Sequence, residues 1–207
     1  MAFSLAYTST GTFGYDFLDR LTSVSGAYSH SYSYNEIGNI TSLNGRTYTY
    51  GSSRPHAVTS ITNPGVSYTY DANGNMLTGD GRVITWDVEN RPISITKDGV
   101  TTTFVYDGDG NRVKKTVGGV TTIYVNQYYE KTGSEITTSY YLGGRQIAVR
   151  TIKDEGASLS YVHQDHLGST SVTSDISSES TSAIKYFPYG AIHSSIGTMP
   201  TDKQFTG

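Results

Sequence analysis

The chain has 207 residues and a formal net charge of −3, with 35% hydrophobic residues, 23 glycines and 18 tyrosines. This composition is poor material for a thick apolar core, and the abundant Tyr and Thr favour a sheet that is wetted on both faces, with hydrated tyrosine hydroxyls. The absence of cysteine excludes disulfides, zinc–thiolate sites and cysteine nucleophiles. Because no basic cluster is present, nucleic acid is not an expected partner.

The start of the sequence and its hydropathy bear on membranes and export. No run of 18 apolar residues occurs, so membrane insertion is not expected. Residues 1–7 lack a basic segment and a long apolar run, which argues against a signal peptide. They favour instead a cut inside a larger repeat array.

Aromatic residues recur at near-regular intervals through the first part of the chain. Intervals of 19, 16, 20, 16 and 20 residues separate six anchor residues, which are Tyr15, Tyr34, Tyr50, Tyr70, Trp86 and Tyr106. Such an alternation is a strong internal repeat, and a unit of this size holds two strands of about five residues and two turns.

A tight turn is predicted after each anchor. In residues 68–75, Asp71 is expected to cap the turn with its carboxylate, and Asn73-Gly74 supplies residues that accept a positive φ. Each copy of this turn ends in Gly–Asn or carries an Arg near that place. The turn residues of the copies are Asp16, Gly38, Asn39, Gly74, Asn75, Asp87, Arg91, Asp107, Gly110 and Asn111. Because the carboxylates recur at the same step, capping is favoured over a catalytic pair of acids.

A second kind of turn joins one repeat to the next. Asn44-Gly45, Asp98-Gly99 and Gly118-Gly119 accept the positive φ that both central residues of a type I′ hairpin turn need. Short β-rich runs lie between the turns, and no stretch has a helical period. The predicted fold is all-β, a continuous antiparallel meander. A β-propeller is the alternative, since 36 residues per four strands also suits a blade.

From residue 125 the spacing loosens. The densest cluster of possible ligands is His163, Asp165 and His166, and a hydrogen-bonded turn is its favoured interpretation. A metal would need further ligands from elsewhere, and a triad with Ser169 lacks a nucleophile elbow. The motif residues of this region are His163, Asp165, His166, Leu167, Gly168, Ser169, Tyr186, Pro188 and Gly190.

The two turn variants together resemble a known repeat. Tyr-x-Tyr-Asp-x-x-Gly-Asn, alternating with Tyr-Asp-x-x-x-Arg-Leu, is similar to the YD repeat of the Rhs proteins, the C component of Tc toxins and the teneurins, over roughly residues 13–125. Residues 161–190 resemble the start of the Rhs-associated core. They depart from it after Asp175, where the usual glycine is missing and a longer or looser turn is expected.

The resemblance implies a fold and a domain order. Residues 1–125 would form a YD-repeat hairpin array, and 126–207 would hold degenerate repeats and the start of the core, before the family's self-cleaving segment. In these relatives the hairpin sheet curves into a spiral that closes as a hollow shell. Enzymatic activity and cofactors are not expected, because the self-cleaving core lies beyond Phe205 and Thr206 in the family pattern.

The implied function is structural. A shell of this kind encapsulates a C-terminal toxin or effector, and the chain would be a wall segment of a secreted or cell-surface bacterial protein. Its partners would be the rest of a larger chain or other copies, joined through sheet edges, and the enclosed polypeptide. A cell-surface adhesion or glycan-binding module is the alternative, because the tyrosine ladder could stack on sugars. Cross-strand tyrosine pairing is the favoured interpretation of that ladder.

Overall fold

The computed structural model describes residues 11–206, so the prediction made for residues 1–7 lies outside the described residues. Every regular element in this range is a β-strand. In chain order the strands are β1 Thr12–Tyr15, β2 Leu21–Ser25, β3 His30–Tyr34, β4 Ile40–Leu43, β5 Arg46–Tyr50, β6 Val58–Ile61, β7 Val66–Ser67, β8 Thr69–Tyr70, β9 Met76–Gly79, β10 Arg82–Trp86, β11 Pro92–Lys97, β12 Val100–Tyr106, β13 Arg112–Val117, β14 Val120–Asn126, β15 Tyr129–Thr132, β16 Glu135–Leu142, β17 Arg145–Lys153, β18 Gly156–Gln164, β19 Thr170–Ser174, β20 Ser180–Tyr186 and β21 Ile192–Ile196.

Strands that follow each other in the chain are neighbours in the sheet. A seven-stranded sheet runs in order from β1 to β7, and a fourteen-stranded sheet runs in order from β8 to β21. The all-β class and the continuous antiparallel hairpin order are therefore confirmed. A propeller would divide the strands into separate blades of four, so this alternative is not favoured.

The connecting hairpins use the predicted turn residues. Asn44 and Gly45 have φ values of 48° and 80°, and Asp98 and Gly99 have values of 51° and 77°. Positive φ at both central residues matches the twist of the flanking strands, which sets the register of each hairpin. In the second case Lys97 faces Val100 directly across the turn.

The two sheets separate at Tyr68, which lies between β7 and β8. The ring of Tyr68 packs on Gly79, where an added Cβ would lie 2.1 Å from the tyrosine Cδ1. Only a residue without a side chain admits the ring at this distance. The main chain of Tyr68 still donates its N–H to the Thr59 carbonyl oxygen at 2.9 Å.

Two compact units divide the described chain, residues 11–103 and residues 104–206. The first has a sparse core that includes Val24, Tyr32 and Ile84. The second buries Val149 and Ile184 together with polar side chains, which include Gln146, Ser169, Thr170, Thr173 and Ser182. Hydroxyl and amide groups thus occupy positions that aliphatic side chains fill in a thicker core, as the composition implied. The division at residue 125 stays a prediction.

Candidate functional site

Asp71 organises the turn between β8 and β9. Its Oδ1 accepts the backbone N–H groups of Asn73 and Asn75, both at 2.9 Å, and its Oδ2 accepts the side-chain amide of Asn75 at 2.9 Å. The main chain closes the turn through Asp71 N–H to the Asn75 carbonyl at 3.0 Å. Gly74 has a φ of 96°, which a Cβ disfavours. One carboxylate thus satisfies three donors that the turn leaves without main-chain acceptors.

The Arg and Asn variants of the turn make the same contact. In turn 87–91 the Nε of Arg91 donates to Asp87 Oδ2 at 2.8 Å, where Asn75 donates through its amide in turn 71–75. Asn90 takes the place of Gly74 with a φ of 61°. The Arg and Asn residues therefore occupy one structural position, the fifth of the turn, four residues after the Asp in both variants. Asp16 with Arg20 and Asp107 with Asn111 repeat the arrangement.

The capping bonds also determine the electrostatics of the turns. The bond from the Asn75 side chain, followed by the bonds from backbone N–H groups, holds the pKa of the Asp71 carboxyl below its ordinary value. The pKa of Asp107 is lowered in the same way, first by the side chain of Asn111. A carboxylate that stays ionised at neutral pH suits a hydrogen-bond acceptor rather than a general acid.

The anchor aromatics link each repeat to the one before it. Tyr70 Oη donates to the carbonyl oxygen of Val58 at 2.8 Å, and Tyr50 Oη donates to that of Ile40 at 2.7 Å. In each case the acceptor directly follows the previous turn. Tyr34 contacts Leu21 in the same way at 2.7 Å. These half-buried hydroxyls therefore donate to main-chain carbonyls, a use within the sheet that the composition alone did not indicate.

His163, Asp165 and His166 do not converge on one point. Asp165 begins turn 165–169 and accepts the N–H groups of Leu167 and Ser169 through Oδ1, both at 2.9 Å. His163 Nε2 instead contacts the Ser174 hydroxyl on β19 at 2.9 Å, and His166 is exposed in the turn. Within residues 11–206 no three side chains of the metal-ligating types come together.

Ser169 is completely buried, and its hydroxyl accepts the Thr206 N–H at 3.2 Å. Its position suits a structural contact and not an exposed nucleophile. Gly168, with a φ of 88°, occupies the same place in its turn as Gly74 does in turn 71–75.

The turn after Asp175 is neither longer nor looser. Asp175 N–H donates to the Glu179 carbonyl at 3.0 Å, and Ser178 takes the glycine position with a φ of 64°. The expectation of an altered turn is therefore wrong, because the carboxylate cap can hold Ser178 in a conformation that glycine adopts more readily.

The repeat continues further than its sequence pattern indicated. Turn 187–191, which contains Pro188 and Gly190, closes through Phe187 N–H to the Ala191 carbonyl at 2.7 Å. Tyr186 acts as its anchor and donates to the Thr170 carbonyl at 3.1 Å. Turns 165–169 and 175–179 carry the five-residue Asp-x-x-(Gly/Ser)-x spacing that could have revealed them, whereas turn 187–191 begins with Phe187 and lacks it.

Sequence reasoning missed a C-terminal contact. Residues 199–206, named the strap here, lie against the second unit. The Gln204 carbonyl accepts the Thr170 N–H at 2.8 Å, the Lys203 carbonyl accepts the Thr170 hydroxyl at 2.7 Å, and the Thr201 hydroxyl donates to Gln146 Oε1 at 3.1 Å. No repeat pattern marks these residues, so their partners follow only from the tertiary structure.

An open cavity of about 980 Å³ lies beside the strap. It is lined by residues of β13 to β16 and by residues 199–204. Its charged side chains have both signs, and they include Asp107, Arg112, Lys115, Glu130, Glu135, Asp202 and Lys203. Such a mixed lining does not select one class of small ligand.

The comparisons with known proteins agree on one architecture. The family model described as Teneurin YD-shell matches residues 4–200. The crystal structure of TcdB2-TccC3 is similar at 16% identity and a TM-score of 0.59, over 92% of this chain and 14% of that one. TcdB2-TccC3 without its hypervariable C-terminal region is similar at 14% identity and a TM-score of 0.61, over 95% of this chain and 14% of that one.

These structural likenesses show the fold alone. The chain spans 14% of the length of the two TcdB2-TccC3 chains. No curated protein matches the chain.

Proposed function

This chain belongs to the Teneurin YD-shell family, and we propose that it is a wall segment of a shell that encapsulates a C-terminal toxin or effector polypeptide. Its role is structural, and our proposal is that the shell encloses a passenger polypeptide. The observation that carries the proposal is a link between hairpins that recurs along the chain: Asp71 caps its turn internally, and Tyr50 and Tyr70 bond back to the preceding repeat. Such links suit a wall that must hold its curvature without a thick core.

The use of polar groups supports a wall over a reactive site. The motif residues Asp71, Asn75, Asp165 and Ser169 direct their polar atoms to the turns or to the strap. We therefore assign the motif residues a structural role. We also propose that residues 1–125 form the regular array and that residues 126–207 lead into the part of the larger chain that follows.

The family also bears on the location and the partners of the protein. An extracellular or secreted protein fits a YD shell, and a bacterial cell surface is the proposed site. No helix within residues 11–206 has the length and hydropathy needed to cross a bilayer. The proposed partners are the rest of a larger chain, other copies at sheet edges, and the enclosed polypeptide.

The glycan-binding alternative has no observation in its favour. A sugar-stacking surface would need exposed ring faces and polar tips that are free to bond, whereas Tyr34, Tyr50 and Tyr70 use their hydroxyls within the sheet. Reproducible binding on a glycan array would nevertheless favour adhesion over encapsulation.

Protease protection in the native protein tests the proposal. The protein is isolated from its source and digested with and without a denaturant concentration that opens the sheet, and the peptides are identified by mass spectrometry. We expect a further polypeptide, outside residues 11–206, that resists digestion until the sheet opens. A passenger that is digested equally fast before and after opening, or a native protein with no further polypeptide, would contradict encapsulation.

A further inference from the structure

Two asparagines of the chain stand directly before a glycine, Asn44 before Gly45 and Asn73 before Gly74. A glycine nitrogen is open to reaction because no side chain stands beside it. The side-chain carbonyl carbon of an asparagine, Cγ, can close a small imide ring with the nitrogen of the next residue. Both sequences are therefore chemically suited to deamidation, and the folded structure decides between them.

The reacting groups of Asn44-Gly45 are unrestrained. The pair forms the two-residue loop between β4 and β5, and both residues are exposed, with empty space around Gly45. The loop is held through other atoms, because the Asn44 N–H donates to the Ser31 carbonyl at 3.0 Å and the Asn63 amide lies 3.5 Å from the Gly45 carbonyl oxygen. The Asn44 side-chain amide and the Gly45 N–H bond to no other described residue.

The same groups of Asn73-Gly74 are held by hydrogen bonds. Asn73 Nδ2 donates to Asn90 Oδ1 at 3.0 Å, and the Gly74 N–H donates to the Asp71 carbonyl at 3.2 Å. A bonded N–H loses its proton less readily, and the Asn73 amide cannot turn its Cγ toward Gly74 until it leaves Asn90. Turn 71–75 therefore protects its asparagine, and loop 44–45 does not.

We propose that Asn44 is a site of spontaneous deamidation. The Gly45 nitrogen loses its proton and bonds to Asn44 Cγ, the Cγ–Nδ2 bond breaks, and Nδ2 leaves as ammonia with that proton. Water then opens the cyclic imide. Cleavage between Cγ and the nitrogen gives aspartate, whereas cleavage between the main-chain carbonyl carbon and the nitrogen gives isoaspartate. Water is the only co-reactant, and the exposed loop admits it.

The two products differ in their effect on the hairpin. Asp80-Gly81 and Asp98-Gly99 already form two-residue loops of the same kind, with φ values of 52° and 71° in the first and of 51° and 77° in the second. The aspartate product therefore fits the β4–β5 loop. Isoaspartate lengthens the main chain of a loop whose φ angles set the register, so it weakens the pairing of β4 with β5.

Peptide mapping by mass spectrometry, after incubation of the intact protein at mildly alkaline pH, tests the proposal. The conversion rates of Asn44 and Asn73 are measured in the folded protein and again in urea, where both lie in unfolded Asn–Gly sequences. We expect similar rates in urea. In the folded protein Asn44 should convert roughly tenfold faster than Asn73, since release of two hydrogen bonds of ordinary strength costs about that factor. Electron-transfer fragmentation separates aspartate from isoaspartate.

Two variants separate the effect of the contacts from that of the local sequence. Asn90→Gly accepts the φ of 61° and removes the acceptor of the Asn73 amide, so Asn73 should convert about threefold to tenfold faster. Asn44→Asp carries the acid product from the start and should melt at the wild-type temperature, whereas aged protein rich in isoaspartate should melt at a lower one.

Three results would overturn the proposal. The first is conversion of Asn73 as fast as Asn44 in the folded protein. The second is a folded protein in which Asn44 stays intact while the chain in urea converts. The third is an unchanged Asn73 rate in Asn90→Gly, which would remove the structural reason for the difference between the two sites.

Discussion

The indole Nε1 of Trp86 donates a hydrogen bond of 2.9 Å to the carbonyl oxygen of Met76, the first residue after turn 71–75. Tyr70 makes the equivalent bond to Val58 through a hydroxyl at the end of a smaller ring. Two side chains of different size thus reach the same main-chain position, one repeat earlier. The feature that recurs is a donor at the tip of an aromatic ring, and this is why Trp can replace Tyr in the ladder.

Removal of one such donor should destabilise the first unit. Tyr50→Phe leaves the Ile40 carbonyl without the hydroxyl that donates to it, and we expect a loss of roughly 1 kcal/mol in the free energy of unfolding. Tyr48→Phe on the same strand is the control, because no bond from the Tyr48 hydroxyl to another described residue is present. Urea unfolding of the two variants measures the difference, and equal midpoints would contradict the role of the anchor.

The conformation of turn 71–75 predicts a second pair of variants. Gly74→Val should cost about 1–2 kcal/mol, because a β-branched residue is strained at a φ of 96° although the space around the position is empty. Ala72→Val in the same turn should change stability by less than about 0.5 kcal/mol. Gly74→Asn should be close to wild type, since Asn90 already occupies the equivalent position. Thermal melts that do not distinguish Gly74→Val from Ala72→Val would show that the turn register is wrong.

The caps predict how stability depends on pH. The pKa of Asp71 is lower in the folded chain than its ordinary value of 3.8, so the folded state binds fewer protons than the unfolded state. The stabilisation is therefore present above that value and is lost as the pH falls through the lowered pKa. Asp71→Asn should remove part of this acid sensitivity and still fold, because Asn35 accepts the Asn39 N–H at 2.9 Å in a related turn. Melting temperatures between pH 2 and pH 6 test this prediction. A variant whose melting temperature falls as steeply with decreasing pH as that of the wild type would contradict it.

The last strand predicts association through a sheet edge. Within residues 11–206, β21 pairs with β20 alone, all five of its residues are exposed, and Ile192 and Ile196 are 54% and 47% accessible. An edge strand that carries two exposed isoleucines and no Lys, Arg, Asp or Glu invites a further strand. We expect concentration-dependent association in analytical ultracentrifugation, with little dependence on salt because main-chain hydrogen bonds carry it.

A charge placed on this edge provides the control. Ile192→Lys should suppress the association, whereas Ile176→Lys, at an exposed position in turn 175–179, should leave it intact. A strictly monomeric wild-type chain at high micromolar concentration would rule out pairing through this edge.

The local elements could be read from the sequence because their determinants are local. The carboxylate of Asp71 caps residues within four positions of itself, and Asn44-Gly45 forms its turn from its own two φ angles. The same logic failed at Asp175, where a missing glycine looked decisive. There the cap bonds were enough to hold Ser178 at a φ of 64°.

The strand class, the turn positions and the sequential antiparallel order follow from the sequence alone, because aromatic spacing and turn chemistry act over a few residues. The partners of the long-range bonds are set instead by the packing of the folded chain. This packing directs the Tyr70 hydroxyl to the Val58 carbonyl, and it places Lys203 and Gln204 on Thr170, 33 and 34 positions earlier in the chain. A hydroxyl or a carbonyl in the sequence states that a bond is needed, whereas the acceptor or donor that satisfies it is chosen by packing between distant strands.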